Sequence, residues 1–204
     1  FSDARRQYVE YREIPDTFIN ALVAAEDNRF FSHFGFDVQG IARAAIKNIE
    51  AGRVVQGGST LTQQTAKNLY KRKDRSYKSK FIELIYALRL EYQYTKEEIL
   101  EFYSNQFFVS GNGHGLGVAA RYYFNKKPEE LTLIESAYIA GSVKRPNYYN
   151  PFIKKDPEAV ELAKERGRQR VAYVLKAMLN LGMIDEFDYQ QAKITEIPFE
   201  KGTV

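Results

Sequence analysis

A mainly α-helical domain is the fold class this sequence predicts, and three observations carry the prediction. Apolar residues recur at three- and four-residue spacing along most of the chain. Helix-start signals stand in front of those runs: Asp16, Asp37 and Asp156, and Thr60, Thr95 and Thr132 each with Gln or Glu three residues on. The two-residue alternation of a half-buried strand is almost missing, and no internal repeat or low-complexity linker breaks the pattern.

Taken in order, Asp16 caps a helix running to about Glu26, with Phe18, Leu22 and Ala25 on one face. Asp37 caps the next, where Val38, Ile41, Ala42, Ala45, Ile46 and Ile49 keep a clean 3.6-residue period. Residues 52–58 form a loop, with a short extended piece at Val54-Val55. Thr60 and Gln63 make a capping box that opens a helix to about Tyr70.

Ser79 to Tyr92 is apolar around much of its circumference, which predicts a buried central helix with Phe81, Leu84, Ile85 and Leu88 on its core face. Thr95 and Glu98 start another helix, faced by Ile99, Leu100, Phe102 and Tyr103. Gly111 to Gly117 is a flexible, glycine-spaced turn leading into a helix over Val118–Phe124. Thr132 and Glu135 cap a helix to about Ala140, and Arg145 to Pro151 reads as a rigid loop. Asp156-Pro157 begins a long helix ending near Gly182, and Asp185 to Lys193 forms a short last one. We expect one domain over residues 1–204.

Composition narrows the chemistry. A hydrophobic share of 44% and a charged share of 27% are those of a globular chain long enough to bury a full core. With no Cys, disulfides, thiolate nucleophiles and Cys-based metal sites are excluded. No run approaches the roughly 18 apolar residues of a membrane span. There is no signal peptide, and the chain opens on Phe1, so we expect a segment of something longer. Net charge is +4, but residues 71–80 hold six cations against one anion, +5, which leaves −1 for the rest. The basic character is local, so its anionic partner should be local too.

Several residues could carry chemistry. Glu26 stands where the first helix ends; the helix C-terminus and the neighbouring Asp27 both disfavour its charge, which suits a general acid or base. On spacing alone, a solvated acidic turn is the simpler account. Glu83 shares its side of the helix with Ala87 and Leu90, with Lys80 one turn earlier as its ionic neighbour. An ordinary helical Lys–Glu pair explains that spacing equally. Gly57-Gly58-Ser59-Thr60 is the stronger signal, because glycines before a helix N-terminus free backbone amides for an anion. A plain N-cap is the competing account, and Lys67 and the basic stretch tilt toward an anion site.

Other readings are set aside. No P-loop lysine follows the glycines, so nucleotide binding is not indicated. The 111–117 glycines have no strand before them and no βαβ unit around them, which discards a dinucleotide site. His33 and His114 are the only histidines and fit no zinc spacing; His33 in its aromatic turn reads as structural. Phe30, Phe31, Phe34 and Phe36, interleaved with Arg29 and His33, read as an aromatic rim near a lipid surface, with hydrophobic core as the alternative.

Together these strings resemble a known family. Glu26-Asp-x-x-Phe-x-x-His-x-Gly, Gly58-x-Thr-x-x-Gln-Gln with Lys67-Asn68, and Lys80-x-x-Glu83 with Ala87-x-x-Leu-Glu91 are similar to the ordered motifs of the peptidoglycan glycosyltransferases, glycosyltransferase family 51. Asn105 with Gly111-Asn112-Gly113, and Glu135-x-Ala137 through Pro146 to Asn150-Pro151, continue the match over a core of about residues 14–151. Ser79 stands where the third motif usually has Arg, and Val109-Ser110 depart from the usual aromatic run.

The resemblance implies a lysozyme-like fold with a large helical lobe and a smaller, membrane-apposed one. It also implies inverting polymerisation of lipid II into β-1,4 glycan strands, with release of undecaprenyl pyrophosphate. Under it, Glu26 is the base that deprotonates the acceptor hydroxyl, and Glu83 is the second catalytic acid. Ser59, Gln64, Lys67, Arg75 and Lys80 surround the donor pyrophosphate, while Asp27, Thr60 and Asn105 support them. Glu83 either orients those cations or helps hold a metal ion. No metal site and no required cofactor are expected, although a divalent cation such as Mg can accompany the pyrophosphate.

The implied partners are lipid II, the lipid-linked glycan chain, the membrane surface and moenomycin-type inhibitors, with no nucleic acid. The implied place is the outer face of the bacterial cytoplasmic membrane. A lysozyme-like hydrolase or lytic transglycosylase, and a non-catalytic binder of anionic polymer or membrane, are the alternatives. No Ser-x-x-Lys or Lys-Thr-Gly motif of a penicillin-sensitive transpeptidase occurs in the chain.

Overall fold

A computed structural model describes residues 7–71 and 74–204; Arg72 and Lys73 of the basic segment lie outside the described residues. The fold is mainly α. The helices are α1 (Asp16–Glu26), α2 (Val38–Ala51), α3 (Leu61–Leu69), α4 (Tyr77–Gln93), α5 (Lys96–Ser104), α6 (Leu116–Phe124), α7 (Leu133–Ser142), α8 (Pro146–Tyr149), α9 (Pro157–Asn180) and α10 (Glu186–Ile194). Short 3-10 turns occupy Tyr11–Glu13, Pro128–Glu130 and Pro151–Ile153. Among the described residues no strand forms; one bridge pairs Phe108 with His114. Among them, too, no helix is long and apolar enough to cross a membrane.

Most of the predicted caps form, but Asp37 stands at the N-cap of α2 without a side-chain cap hydrogen bond, and Asp16 is the first residue of α1 rather than its cap. Thr60 accepts from Gln63 N–H, Thr132 from Glu135 N–H and Asp156 from Ala159 N–H. The segment after Arg145 differs from the rigid loop expected of it. Pro146 and Pro151 each sit at a helix N1 or N2 position, where the missing N–H costs nothing, so it coils into α8 and a 3-10 turn.

The chain divides into two compact units, residues 1–25 with 104–204 and residues 26–103. In the larger unit, α7 is buried from Ile134 to Ser142, and α9 turns Val171, Val174, Leu175 and Met178 inward. Gly167 of α9 lies against the Tyr138 ring, where an added Cβ would come within 3.2 Å of Cε2. The tail closes the same core: Phe199 stacks on Phe124 at 5.8 Å and meets Tyr138 edge-on at 4.9 Å. Glu200 N–H and Gly202 N–H donate to the carbonyls of Tyr123 and Tyr122.

The smaller unit has two helices with exposed apolar faces, and the second departs from expectation. In α2 the periodic aliphatic row faces outward, with Ile46 57% and Ile49 79% exposed, and only Ala44 is buried. In α4 the core face is the opposite of the predicted one. Phe81 is 63% exposed and Ile85 is exposed as well, while Glu83, Ala87, Leu90 and Glu91 point inward. Both buried acids are paired, Glu83 with Lys80 and Glu91 with Lys96 and Thr62, which is what lets a polar stripe become the buried one.

Candidate active site

The three strings that stand out in the sequence meet in the smaller unit. α1 ends at the half-buried Glu26, and the chain turns at Asp27, whose carboxylate is buried. Asp27 Oδ2 accepts from His33 Nε2 at 2.7 Å and from Leu61 N–H, the first residue of α3, at 3.0 Å. Gly35 N–H donates to His33 Nδ1 at 3.2 Å, so that nitrogen carries no proton and the ring's single N–H faces Asp27. Both ring nitrogens of His33 are thus engaged, with the Phe30 ring edge-on at 5.7 Å.

Thr60 locks the first string to the second. Its hydroxyl donates to Gly35 O at 2.7 Å and accepts from Gln63 N–H, while Gln63 Oε1 accepts from Thr60 N–H at 2.8 Å. Gly35 holds φ +90, which favours glycine, and Gly58 is closely packed: a Cβ there would lie 3.1 Å from Ile41 Cα. The loop that delivers Ser59 thus packs directly on α2.

At that loop, Lys80 Nζ donates to Ser59 Oγ and to Glu83 Oε1, each at 2.7 Å. The Lys80 side chain is 41% exposed and that of Glu83 only 2%. The geometry is a buried carboxylate holding a partly open ammonium over a hydroxyl. Such a cation is anchored on one side and available on the other.

Gln64, one turn into α3, accepts from the Tyr103 hydroxyl at 3.3 Å, and its buried Nε2 has no acceptor among the described residues. Tyr103 is itself buried; that burial, and the nearby Glu26 charge, hold its phenol well above the usual pKa. In the sequence Tyr103 reads only as part of a helix face, and nothing in its spacing marks it as a neighbour of Glu26.

Two other predicted residues stand outside this bonded cluster. Lys67, in the last turn of α3, and Arg75, before α4, are exposed and make no hydrogen bond or ion pair with the described residues. Asn105 belongs to the larger unit, where Oδ1 accepts from Val9 N–H and Nδ2 donates to Val9 O, both at 2.8 Å. Its amide clamps the N-terminal segment. No group of three or more His, Cys, Asp or Glu side chains among the described residues is placed to hold a metal ion.

A family profile described as Transglycosylase matches residues 1–179. The chain belongs to the transglycosylase family. This transglycosylase-family chain is 40% identical over 201 residues to penicillin-binding protein 1A of Neisseria flavescens, covering 98% of the chain and 24% of that protein. It is 39% identical over 192 residues to penicillin-binding protein 1A of Pseudomonas aeruginosa, covering 94% and 22%. A 2.6 Å crystal structure of penicillin-binding protein 1A from Haemophilus influenzae shares the fold, with a TM-score of 0.55 at 24% identity, over 96% of the chain and 18% of that structure's chain. The transglycosylase-family chain thus spans about a quarter of the length of the relatives it matches.

Proposed function

We propose that this chain is a peptidoglycan glycosyltransferase domain that joins lipid II to a growing lipid-linked glycan strand. The transfer forms a β-1,4 bond with inversion and releases undecaprenyl pyrophosphate. The observation that carries the reading is the Lys80 ammonium, held at 2.7 Å by both Ser59 and the buried Glu83 beside the glycine-led start of α3. Cations and donors fixed in advance around a departing pyrophosphate stabilise charge that develops in the transition state.

Glu26 removes the proton from the acceptor's 4-hydroxyl as that oxygen attacks the donor's anomeric carbon. On the other side the bond to the pyrophosphate breaks, and Lys80, Ser59 and the unmatched Gln64 amide receive the leaving oxygens. Lys67 and Arg75 draw the pyrophosphate in, and Glu83 keeps Lys80 aimed. Asp27 and Thr60 hold the two strings in register. The role needs no cofactor; a Mg ion would come with the substrate and would neutralise charge on its pyrophosphate.

The outward aliphatic row of α2, with the exposed Phe31, Phe34, Phe36 and Phe81, supports a membrane-apposed smaller unit. We accordingly place the domain on the outer face of the bacterial cytoplasmic membrane, and moenomycin-type phosphoglycolipids at the donor site. Incubation of the chain with lipid II tests the proposal. Polymeric β-1,4 glycan is expected; clearing of cell-wall sacculi without polymer would assign a hydrolase instead.

A further inference from the structure

Around Asp27 the smaller unit closes a ring of contacts that joins both halves of the site. The Lys96 ammonium donates to Glu91 Oε1 and to the carbonyl oxygen of His33, each at 2.7 Å, and lies 4.5 Å from the centre of the Phe30 ring. The same Glu91 oxygen accepts from the Thr62 hydroxyl at 2.7 Å. Thr62 follows Leu61, whose N–H meets Asp27, and Asp27 is bound to the His33 ring. The circuit runs Glu91, Thr62, Leu61, Asp27, His33, Lys96 and back to Glu91.

The ring is shielded: the Asp27, His33 and Glu91 side chains are 3% exposed and Lys96 is 20%. Water cannot replace a lost partner in such a place, so each link constrains the next. What the ring fixes is specific. Asp27 is covalently next to Glu26, and Leu61 follows Ser59-Thr60, the turn that meets Lys80. Lys96 and Glu91 touch neither of those sites, yet they hold together the two segments that carry them.

We propose that Lys96 and Glu91 are positioning residues for glycosyl transfer, fixing Glu26 relative to the start of α3 through the Asp27–His33 link. The inference rests on the peptidoglycan glycosyltransferase reading and adds to it two residues outside the donor cluster. The ring acts on alignment, so its loss lowers turnover and leaves substrate binding intact.

The test compares Lys96→Met, Lys96→Arg and the double variant Lys96→Met/His33→Gln in the intact chain, with lipid II as substrate. For Lys96→Met we expect kcat to fall at least about tenfold, with KM and moenomycin affinity within about threefold of wild type. Lys96→Arg restores the cation and its donors, and recovers most of the loss. The double variant loses no more than the worse single one, because both cut the same ring. Should Lys96→Met fail to fold, Lys96→Met/Glu91→Gln leaves no unpaired buried charge and carries the same expectation.

A folded Lys96→Met variant with wild-type kcat overturns the proposal. So does one that loses kcat and inhibitor affinity together, or additive losses in the double variant. Solvent exchange of the His33 Nε2 proton, read by NMR, judges the ring without any activity. It should be slow in wild type and at least about tenfold faster in Lys96→Met. Polymerisation indifferent to Lys96 removes the ring's role and spares the function. Slow exchange in a wild type that makes no polymer removes the function, and the positioning role with it, while the ring stands as structure.

Discussion

Replacing Lys80 by Met separates a built pocket from a diffuse basic surface. Lys80 Nζ makes two hydrogen bonds of 2.7 Å, to Ser59 Oγ and Glu83 Oε1, and both are lost while the aliphatic stem is kept. If that ammonium also meets the pyrophosphate, the variant forfeits a charge-assisted contact of about 1.5–3 kcal/mol. At about 1.4 kcal/mol per tenfold, turnover falls by one to two orders of magnitude. Stability should fall too, since a Glu83 side chain only 2% exposed loses its cation. The Lys80 side is 41% exposed, so the cost is set between those of surface and buried pairs, at about 1–2 kcal/mol.

Lys78, exposed on the first turn of the same helix, is the comparator. Diffuse attraction is screened within about 10 Å at 0.1 M salt, so Lys78→Met should change turnover less than about threefold, and not at all at high salt. Polymerisation of lipid II at low and high salt, with moenomycin affinity measured in parallel, reads both effects. The double variant Lys80→Met/Glu83→Gln should regain stability and not turnover. Equal, equally salt-masked losses for Lys78 and Lys80 would remove the pyrophosphate role from Lys80.

Three further outcomes are expected. Glu26→Gln should cut polymerisation by about 10²–10⁴-fold with the thermal midpoint within a few degrees of wild type; a folded variant keeping more than about a tenth of the activity refutes the base assignment. Ile46→Asp/Ile49→Asp should leave stability unchanged, because both side chains are exposed, and should lower partition onto anionic vesicles at least about tenfold; undiminished partition would place the membrane contact elsewhere. Burial first, with nearby charges second, raises the Tyr103, Tyr123 and Tyr138 phenols above their unfolded value of 10.0, so above that pH the unfolded chain releases protons that the folded chain keeps. Stability is then whole below about pH 10 and declines above it by up to about 1.4 kcal/mol per pH unit per tyrosine, and denaturant midpoints that stay level there would contradict this burial.

Helix starts were legible in the sequence because their signals are local: Thr60 with Gln63 and Thr132 with Glu135 need only three residues of context. The Lys80–Glu83 pair was legible for the same reason. The facing of α2 and α4 was not. Periodicity at Val38, Ile41 and Ile49 reports that one side of a helix is apolar, and leaves open whether protein or lipid covers it. In α4 the apolar Phe81 and Ile85 look like core, while the true inward stripe holds Glu83 and Glu91. That stripe is tolerable because Lys80 pairs with Glu83, and because Thr62, distant in sequence, and Lys96, on the next helix, arrive to satisfy Glu91. Tyr103 escaped for a related reason, since its contact with Gln64 bridges 39 residues.

The aliphatic row on α2 has a consequence for how the purified chain behaves in a tube. Uncovered isoleucines in water seek any apolar partner, and the readiest one is the same row on another copy. Row against row is the same patch on both partners, so the pairing closes on itself as a concentration-dependent dimer. Adding micelles should return that dimer to a single protomer. Hydrodynamic radius in this protein is thus a property of the detergent as much as of the chain.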